Sequence, residues 1–144
     1  MKQFCCTLLF FLATLTSYAQ NFADFFQDKT LRVDYIFTGD ANRQAIYLDE
    51  LSQLPSWAGR QHHLSELPLA GNGQIIVKDV ATGQCIYKTS FSSLFQEWLS
   101  TDEARTSAKG FDNTFLLPFP KKSVVVEITL YSPRKDVMAN FKHF

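Results

Sequence analysis

The sequence predicts a mostly β fold, an antiparallel β-sandwich with one short helix, after an N-terminal signal peptide. Apolar and polar residues alternate with a period of two along several stretches, which is typical of strands with one buried face. Turn residues, mainly Gly and Pro, separate these stretches. Because no long amphipathic helix lies between them, the pattern favours an antiparallel sandwich over a parallel α/β fold.

The N-terminal residues 1–19 have the features of a secretory signal peptide. A short cationic start precedes an almost unbroken apolar run, and small residues stand before the predicted cleavage site between Ala19 and Gln20. The apolar run is too short to cross a hydrocarbon core of roughly 30 Å. We therefore expect an exported protein, secreted, periplasmic or on the cell surface, without stable membrane insertion after cleavage. Residues 20–144 form the predicted β-sandwich domain.

Composition excludes several classes of function. The chain has 14 basic and 14 acidic residues and no Lys/Arg cluster interleaved with aromatic residues, so we expect no nucleic-acid partner. Cys5 and Cys6 lie in the predicted signal peptide, which leaves Cys85 as the single cysteine of the mature chain and no internal disulfide. Since Cys85 lies in an apolar strand pattern, we interpret it as a small buried hydrophobe.

Two strands are predicted in the first part of the domain. The first ends at the turn residues Gly39 and Asp40, and its core-facing residues are predicted to be Leu31, Val33, Tyr35 and Phe37. The second, residues 45–51, is compatible with a strand or a helix, and we favour a strand with Ile46 and Leu48 facing inwards. A loop-rich connection follows, interrupted by Pro55, Gly59 and Pro68.

The remaining strands are predicted in a hairpin and at the C-terminal end. Residues 74–80 pair with residues 84–91, and Gly83 suits the left-handed position of the turn between them. Later apolar positions that predict strands are Phe111, Phe115, Leu117, Val124, Val126, Ile128 and Leu130. A last strand-like segment stops at Phe144 within an apolar pattern. We interpret this end as a boundary of the given chain rather than of a finished protein.

One helix is predicted after the hairpin. Ser100 as N-cap and Glu103 three residues later form a capping box, which predicts a helix that begins there. Gly110 is expected to end this helix. The helix is short and polar, so we expect it to be exposed.

The stretch FSSLFQEW, residues 91–98, is either an exposed aromatic platform or a set of buried anchors. Because Phe95 and Trp98 are three residues apart, they share a face in the helical sense. We therefore expect both rings to be core anchors, with Trp98 largely buried. Glu97 is then expected to point to solvent, which makes a catalytic role for its carboxylate unsupported.

A search for chemistry finds no catalytic constellation. His62, His63 and Glu66 form the only histidine cluster, but adjacent histidines diverge on a strand or a helix, and the zinc motif H-E-x-x-H is absent. Solvated loop histidines are the favoured interpretation. Scattered acids are expected in any sandwich, here Asp34, Asp40, Asp49, Glu50 and Glu66. We predict no catalytic, cofactor-binding or metal-binding residue in this chain.

Several motifs, in one consistent order, carry a resemblance to a known family. FSSLFQEW followed by STDEA, and LLPFPKK at residues 116–122, resemble the N-terminal domain of the IgA-peptidase family of secreted bacterial zinc metallopeptidases. The resemblance begins near Phe26, passes through Trp57-Ala58-Gly59 and the hairpin, and extends to about Phe144. Its structural signature is Phe91, Phe95, Trp98, Pro118, Phe119 and Pro120.

The resemblance implies a non-catalytic accessory domain that precedes a zinc peptidase domain. Its expected partner is the peptidase catalytic domain or a protein substrate, and zinc is expected only in the catalytic domain. The chain is then a fragment or a freestanding copy of the accessory domain. The alternative is a freestanding secreted binding module for glycan or protein that uses exposed aromatics such as Trp57 or Trp98. The two hypotheses differ in whether those rings form one exposed patch.

Overall fold

Two antiparallel β-sheets, packed face to face, make up most of the computed structural model, which describes residues 20–144. The predicted signal peptide at 1–19, including Ala19, lies outside the described residues. In chain order the elements are α1 (Phe22–Phe25), β1 (Phe26–Gly39), β2 (Gln44–Leu54), β3 (Gly73–Asp79), β4 (Cys85–Phe91), α2 (Leu94–Leu99), a 3₁₀ turn (Glu103–Arg105), β5 (Lys109–Pro120), β6 (Val124–Tyr131) and β7 (Val137–His143). Among residues 20–144, no helix has the length and apolar character needed to span a membrane.

The sheets have the strand orders β2-β1-β5, here called sheet A, and β4-β3-β6-β7, here called sheet B. All of the strand pairs are antiparallel. Buried residues of both sheets form one hydrophobic cluster, so the core lies between the sheets. The predicted mostly β, antiparallel sandwich is therefore confirmed.

Strand β1 is the centre of sheet A, and its alternation is the one that the sequence predicts. Val33, Tyr35 and Phe37 are fully buried, while Leu31 is partly buried against the core. On β2, Ile46 is buried and Leu48 packs against the core, so the predicted strand and its inward face are both confirmed. Period-two patterning determined this sheet because only one of its faces is covered by the core.

Sheet B is built around β3 and β6. The hairpin from β3 to β4 turns at Gly83, whose φ of +69° is the left-handed conformation predicted for it. Inward residues of β3 and β6 with at most 2 % exposure include Ile75, Val77, Val126, Ile128 and Leu130. The predicted hairpin and the alternation along β6 are confirmed.

The connection between β2 and β3 covers the outer edge of β4. Lys88 donates its backbone N–H to the Leu64 carbonyl at 2.8 Å, and the Ser90 hydroxyl donates to the Pro68 carbonyl at 3.0 Å. Gln20 donates its side-chain amide to the Cys85 carbonyl at 2.8 Å. A loop therefore shields one edge of sheet B, which limits pairing of β4 with another chain.

The prediction of a helix that begins at Ser100 is wrong. Helix α2 precedes that position, and the Ser93 hydroxyl caps it by accepting a hydrogen bond from the Gln96 N–H at 3.3 Å. Ser100 is the C-cap of α2, only a 3₁₀ turn follows, and Gly110 lies in β5. Packing decides the outcome, because α2 presses aromatic side chains into the core whereas the later segment is polar and buries only Ala104.

Strand β5 forms one edge of sheet A and carries two prolines. Pro118 pairs with Thr30 and Pro120 with Phe26, across an irregularity in the register. Edge strands tolerate proline because its missing N–H can face away from the neighbouring strand. The prolines of the predicted signature thus lie within a strand, next to the start of β1.

Candidate functional site

The sandwich has two ends along β1, and a different tryptophan lies at each. Trp57 lies beside the first residues of β1, since its backbone N–H donates to the Asp28 carboxylate at 3.0 Å. Trp98 lies at the other end, where its ring contacts Phe111, the partner of Phe37 near the end of β1. We call these the Trp57 end and the Trp98 end.

Aromatic rings from FSSLFQEW close the Trp98 end. Phe95 is fully buried, and its ring centroid lies 6.0 Å from that of Trp98 and 5.6 Å from that of Phe111. Phe91 stacks on Phe37 with centroids 5.9 Å apart. Three of the signature residues therefore meet in one core cluster, as anchors and not as a platform.

Trp98 itself is partly exposed, so the prediction that it is largely buried is only half met. Its indole N–H donates to Glu103 Oε2 at 2.9 Å, and the Lys109 ammonium donates to the same carboxylate at 2.7 Å. Lys109 Nζ also lies 5.7 Å from the centroid of the Trp98 ring. The Lys109 and Trp98 hydrogen bonds hold the pKa of Glu103 below its ordinary value. Glu97 is exposed, as predicted.

The Trp57 end is closed without ionised contacts to the indole. Trp57 is 8 % exposed, packs edge-on against Tyr87 at 6.1 Å, and donates its indole N–H to the Arg60 carbonyl at 3.1 Å. Arg60 lies over the other aromatic partner, 5.0 Å from the Tyr87 centroid. Because Trp57 is buried and Trp98 is at the opposite end, the two rings do not form one exposed aromatic patch.

An apolar groove, here called the Leu116 groove, runs over the outer face of sheet A at the Trp57 end. It has a volume of about 510 Å³ and is lined by Thr30, Leu54, Pro55, Ser56, Trp57, Ala58, Gly59 and Leu116. Leu54 is 37 % exposed and Leu116 is 51 % exposed. The Thr30 hydroxyl donates to the Ser56 carbonyl at 2.7 Å, which fixes the loop side of the groove.

The register explains why these leucines face outwards. Leu116 pairs with Arg32 and Leu54 pairs with Thr30, and both partners alternate with the inward-facing Val33 on β1. Leucines on the solvent face of a sheet violate the binary pattern, so they are the unexpected feature of this end. The remaining signature residues, Pro118 to Pro120, continue β5 beyond Leu116 and do not meet the Trp98 cluster.

A second cavity, here called the Gln96 pocket, lies at the Trp98 end. Its volume is about 300 Å³, and it is lined by Ala41, Gln44, Gln96, Leu99, Ser100, Ser132, Pro133 and Met138. The side-chain oxygens of Gln44 and Gln96 are buried and have no hydrogen-bond partner among the described residues. No sequence motif links these two glutamines, because they come from β2 and α2 and only the fold brings them together.

The remaining candidate groups have structural roles. His63 Nδ1 lies 2.8 Å from Glu66 in an exposed loop pair, as expected for solvated histidines. Within residues 20–144, no group of three His, Cys, Asp or Glu side chains is arranged to hold a metal ion. The Thr114 hydroxyl and then Arg32 lower the pKa of Asp34 by hydrogen bonding. Burial raises the pKa of the half-buried Cys85 thiol.

One partly buried polar pair was not predicted. Tyr35 Oη and His143 Nε2 lie 2.7 Å apart, in contact with Phe141. Burial raises the pKa of Tyr35 and lowers that of His143. The pair joins β1 to β7 across the core, which marks it as a cross-sheet link.

Comparison with known proteins identifies a family. The model of the family described as peptidase M64 N-terminus matches residues 21–142. The match spans β1 to β6 and all of β7 except its last residue, and therefore nearly all of both sheets. A comparison with curated proteins found no match.

Proposed function

Because the chain belongs to the peptidase M64 N-terminus family, the IgA-peptidase family indicated by its sequence motifs, we propose that it is a non-catalytic accessory domain of a secreted zinc metallopeptidase. In this role the domain packs beside the catalytic domain or positions the protein substrate. The observation that carries the proposal is the family match over residues 21–142, which is to an N-terminal region of a peptidase. Zinc and the hydrolytic groups belong to the catalytic domain.

The Leu116 groove is the surface we assign to the catalytic domain. Exposed Leu54 and Leu116 flank β1 on a rigid sheet, so the apolar surface is preorganised and loses little conformational entropy on docking. Interfaces between domains of one protein bury about 600–1,500 Å², so an interface centred on this groove would also include the neighbouring surface of sheet A. The groove supplies the apolar centre of such an interface.

Association with the catalytic domain tests this assignment. The catalytic domain and the accessory domain are produced separately, and their binding is measured by isothermal titration calorimetry. We expect Leu116→Asp to weaken binding at least about tenfold, since it places a charge in the apolar centre. The matched control is Leu94→Asp, because Leu94 is 69 % exposed and lies in α2 at the opposite end. Equal effects of the two variants, or no association at all, would contradict the assignment.

A protease assay tests the non-catalytic role. The purified chain, supplied with Zn²⁺, is expected to leave a protein substrate intact. Substantial cleavage that a chelator abolishes would show that the chain is a peptidase by itself. The same assay with the catalytic domain, with and without the accessory domain, measures what the accessory domain adds.

Export is part of the proposal. The predicted signal peptide directs the chain out of the cytoplasm, and removal after Ala19 leaves Gln20 as the first residue. N-terminal sequencing of protein recovered outside the cytoplasm is expected to begin at Gln20. Recovery with Met1 retained would refute cleavage.

A further inference from the structure

We propose that the Gln96 pocket binds a neutral, extended segment of the polypeptide substrate through the backbone N–H groups of that segment. The inference rests on the proposed accessory role and specifies which surface would position substrate. It uses a different end of the sandwich from the Leu116 groove, so the two surfaces can be tested separately.

Two hydrogen-bond acceptors of the pocket have no donor partner. Gln44 Oε1 and Gln96 Oε1 are buried, and neither receives a hydrogen bond from the described residues. Buried acceptors are normally paired, because an unpaired one loses its hydrogen bonds to water without replacement. A ligand that donates N–H groups at this position would restore both bonds.

The two serine hydroxyls of the pocket are already engaged. The Ser100 hydroxyl donates to the Glu97 carbonyl at 2.6 Å. The Ser132 hydroxyl accepts from the backbone N–H groups of Arg134 and Asp136, each at 3.1 Å. The two glutamine oxygens are therefore the acceptors of the pocket that have no partner among the described residues, and a ligand with N–H donors would satisfy them.

The lining selects an uncharged ligand. No lining residue is ionisable, and Leu99, Pro133 and Met138 form an apolar wall. A charged group would lose its hydration here without gaining a counter-ion. A peptide unit with an apolar side chain suits the combination, since its N–H faces an amide oxygen while its side chain contacts the wall. Methionine adapts to side chains of different shape.

A polypeptide fits better than a sugar. Sugar sites usually include an aromatic face, and no aromatic residue lines this pocket. The pocket instead lies where two edge strands begin, with Gln44 the first residue of β2 and Met138 near the start of β7. Extended peptides commonly bind beside the edges of sheets.

The two acceptors are held in place by the fold. Gln96 follows the fully buried Phe95 in a helix that is capped by Ser93. Gln44 pairs with Gly39 at the β1–β2 hairpin, where the Asp40 carboxylate accepts the backbone N–H groups of Asn42 and Arg43 at 2.7 and 2.9 Å. A pocket of about 300 Å³ with fixed acceptors is at the small end of known ligand sites, of size for about one or two residues.

Nuclear magnetic resonance of the labelled domain tests the proposal. The probe is the capped neutral peptide acetyl-Ala-Leu-Ala-Leu-amide, and its control is the same peptide with every backbone amide N-methylated and the terminal amide N,N-dimethylated, which lacks N–H donors. We expect saturable shifts of the Gln44 and Gln96 side-chain amides and of the Met138 methyl with the first peptide only. We expect Gln96→Leu and, independently, Gln44→Leu to weaken binding at least about tenfold. Gln53→Leu, at an exposed position of β2, is expected to leave binding unchanged.

Each other outcome overturns the proposal. Equal binding of the N-methylated peptide would remove the role of the N–H groups, and shifts confined to other residues would place the site elsewhere. Preferential binding of methyl glucoside would assign the pocket to glycan. Absence of shifts with every probe would show that the pocket binds none of these ligands. The Leu116→Asp variant is expected to bind the peptide normally while its association with the catalytic domain is weakened. A wild-type domain that associates with the catalytic domain but does not bind the peptide would refute the pocket proposal and leave the accessory role standing.

Discussion

The two ends of the sandwich are each closed around a tryptophan, but the contacts of the two indoles differ. Trp57 is buried and gives its N–H to a backbone carbonyl, whereas Trp98 is partly exposed and gives its N–H to the Glu103 carboxylate. A neutral buried bond does not depend on pH or salt, while an exposed carboxylate paired with Lys109 depends on both. The indole contact at the Trp57 end is therefore independent of pH and salt, whereas the indole contact at the Trp98 end depends on both.

The same contrast applies to the surfaces at the two ends. The Leu116 groove is apolar and stands on paired strands, whereas the Gln96 pocket is partly polar and stands on a six-residue helix and strand ends. An apolar groove suits a lasting contact with another domain, and a pocket with free acceptors suits a ligand that arrives and leaves. Substitutions at each end are expected to show how the two ends differ in stability and in pH dependence.

The largest expected effect is at the Trp98 end. Phe95→Ala removes a fully buried ring and leaves a cavity, so we expect the free energy of unfolding to fall by about 4 kcal/mol in urea denaturation. Leu94→Ala, at the neighbouring exposed position, is expected to cost less than about 0.5 kcal/mol. A small effect of Phe95→Ala would mean that α2 is not an anchor of this end.

The next comparison is between alanine substitutions at two glycines, one in a strand and one in the loop of the Trp57 end. A Cβ at Gly73 would meet the Phe91 ring, and a Cβ at Gly59 would meet the Trp57 indole. Gly73 lies in β3 and is paired on both sides, so its backbone cannot shift, whereas Gly59 lies in a loop. We expect Gly73→Ala to cost about 2–3 kcal/mol and Gly59→Ala about 1 kcal/mol, measured by urea denaturation. The reverse order would show that the Trp57 loop is the more rigid region.

The tryptophans themselves give a smaller difference. Trp57→Phe leaves a gap in the core and the Arg60 carbonyl without its donor, so we expect a loss of about 2 kcal/mol. Trp98→Phe is expected to cost less than about 1 kcal/mol, because solvent can replace part of its contacts. Thermal and urea unfolding of both variants provide the measurement, and equal losses would remove the distinction between the ends.

The smallest effect concerns pH. The folded pKa of Glu103 is below its ordinary value of 4.5, so its stabilising contacts are present above that value and are lost as pH falls through the folded pKa. We expect Trp98 fluorescence, recorded in the Trp57→Phe background, to change on acidification before global unfolding. Glu103→Gln should abolish that transition, and high salt should weaken the Lys109 contact. A transition that persists in Glu103→Gln would assign it to another group.

The strands were predictable because their cause is local. Each of β1 and β6 carries its inward residues at alternate positions, and a single core determines which face is apolar. Helix α2 was not predicted, although its sequence signal is present. Ser93 and Gln96 satisfy the capping-box pattern as Ser100 and Glu103 do. Two serine caps seven positions apart compete in the sequence, and only the packing of Phe95 into the core decides between them.

The two surfaces were not predictable from the sequence. Leu116 alternates with the predicted Phe115 and Leu117, which indicates its outward direction, but only the fold brings the loop from Pro55 to Gly59 beside it to complete the groove. Gln44 and Gln96 become neighbours only because the β1–β2 hairpin and α2 close the same end. Tertiary contacts between distant segments create both features, and no short motif records them.

The prolines of β5 have a further consequence for self-association. An unprotected edge strand can recruit the same strand of another molecule and let a sheet propagate into aggregates. Pro118 and Pro120 are two residues apart, so their backbone nitrogens face the same side of β5. Their missing N–H groups interrupt the row of donors on that side. Continuous backbone pairing of a second molecule through this row of β5 is therefore interrupted. Recognition beside Leu116 is then left to side chains, so the groove can remain apolar without becoming a seed for fibres.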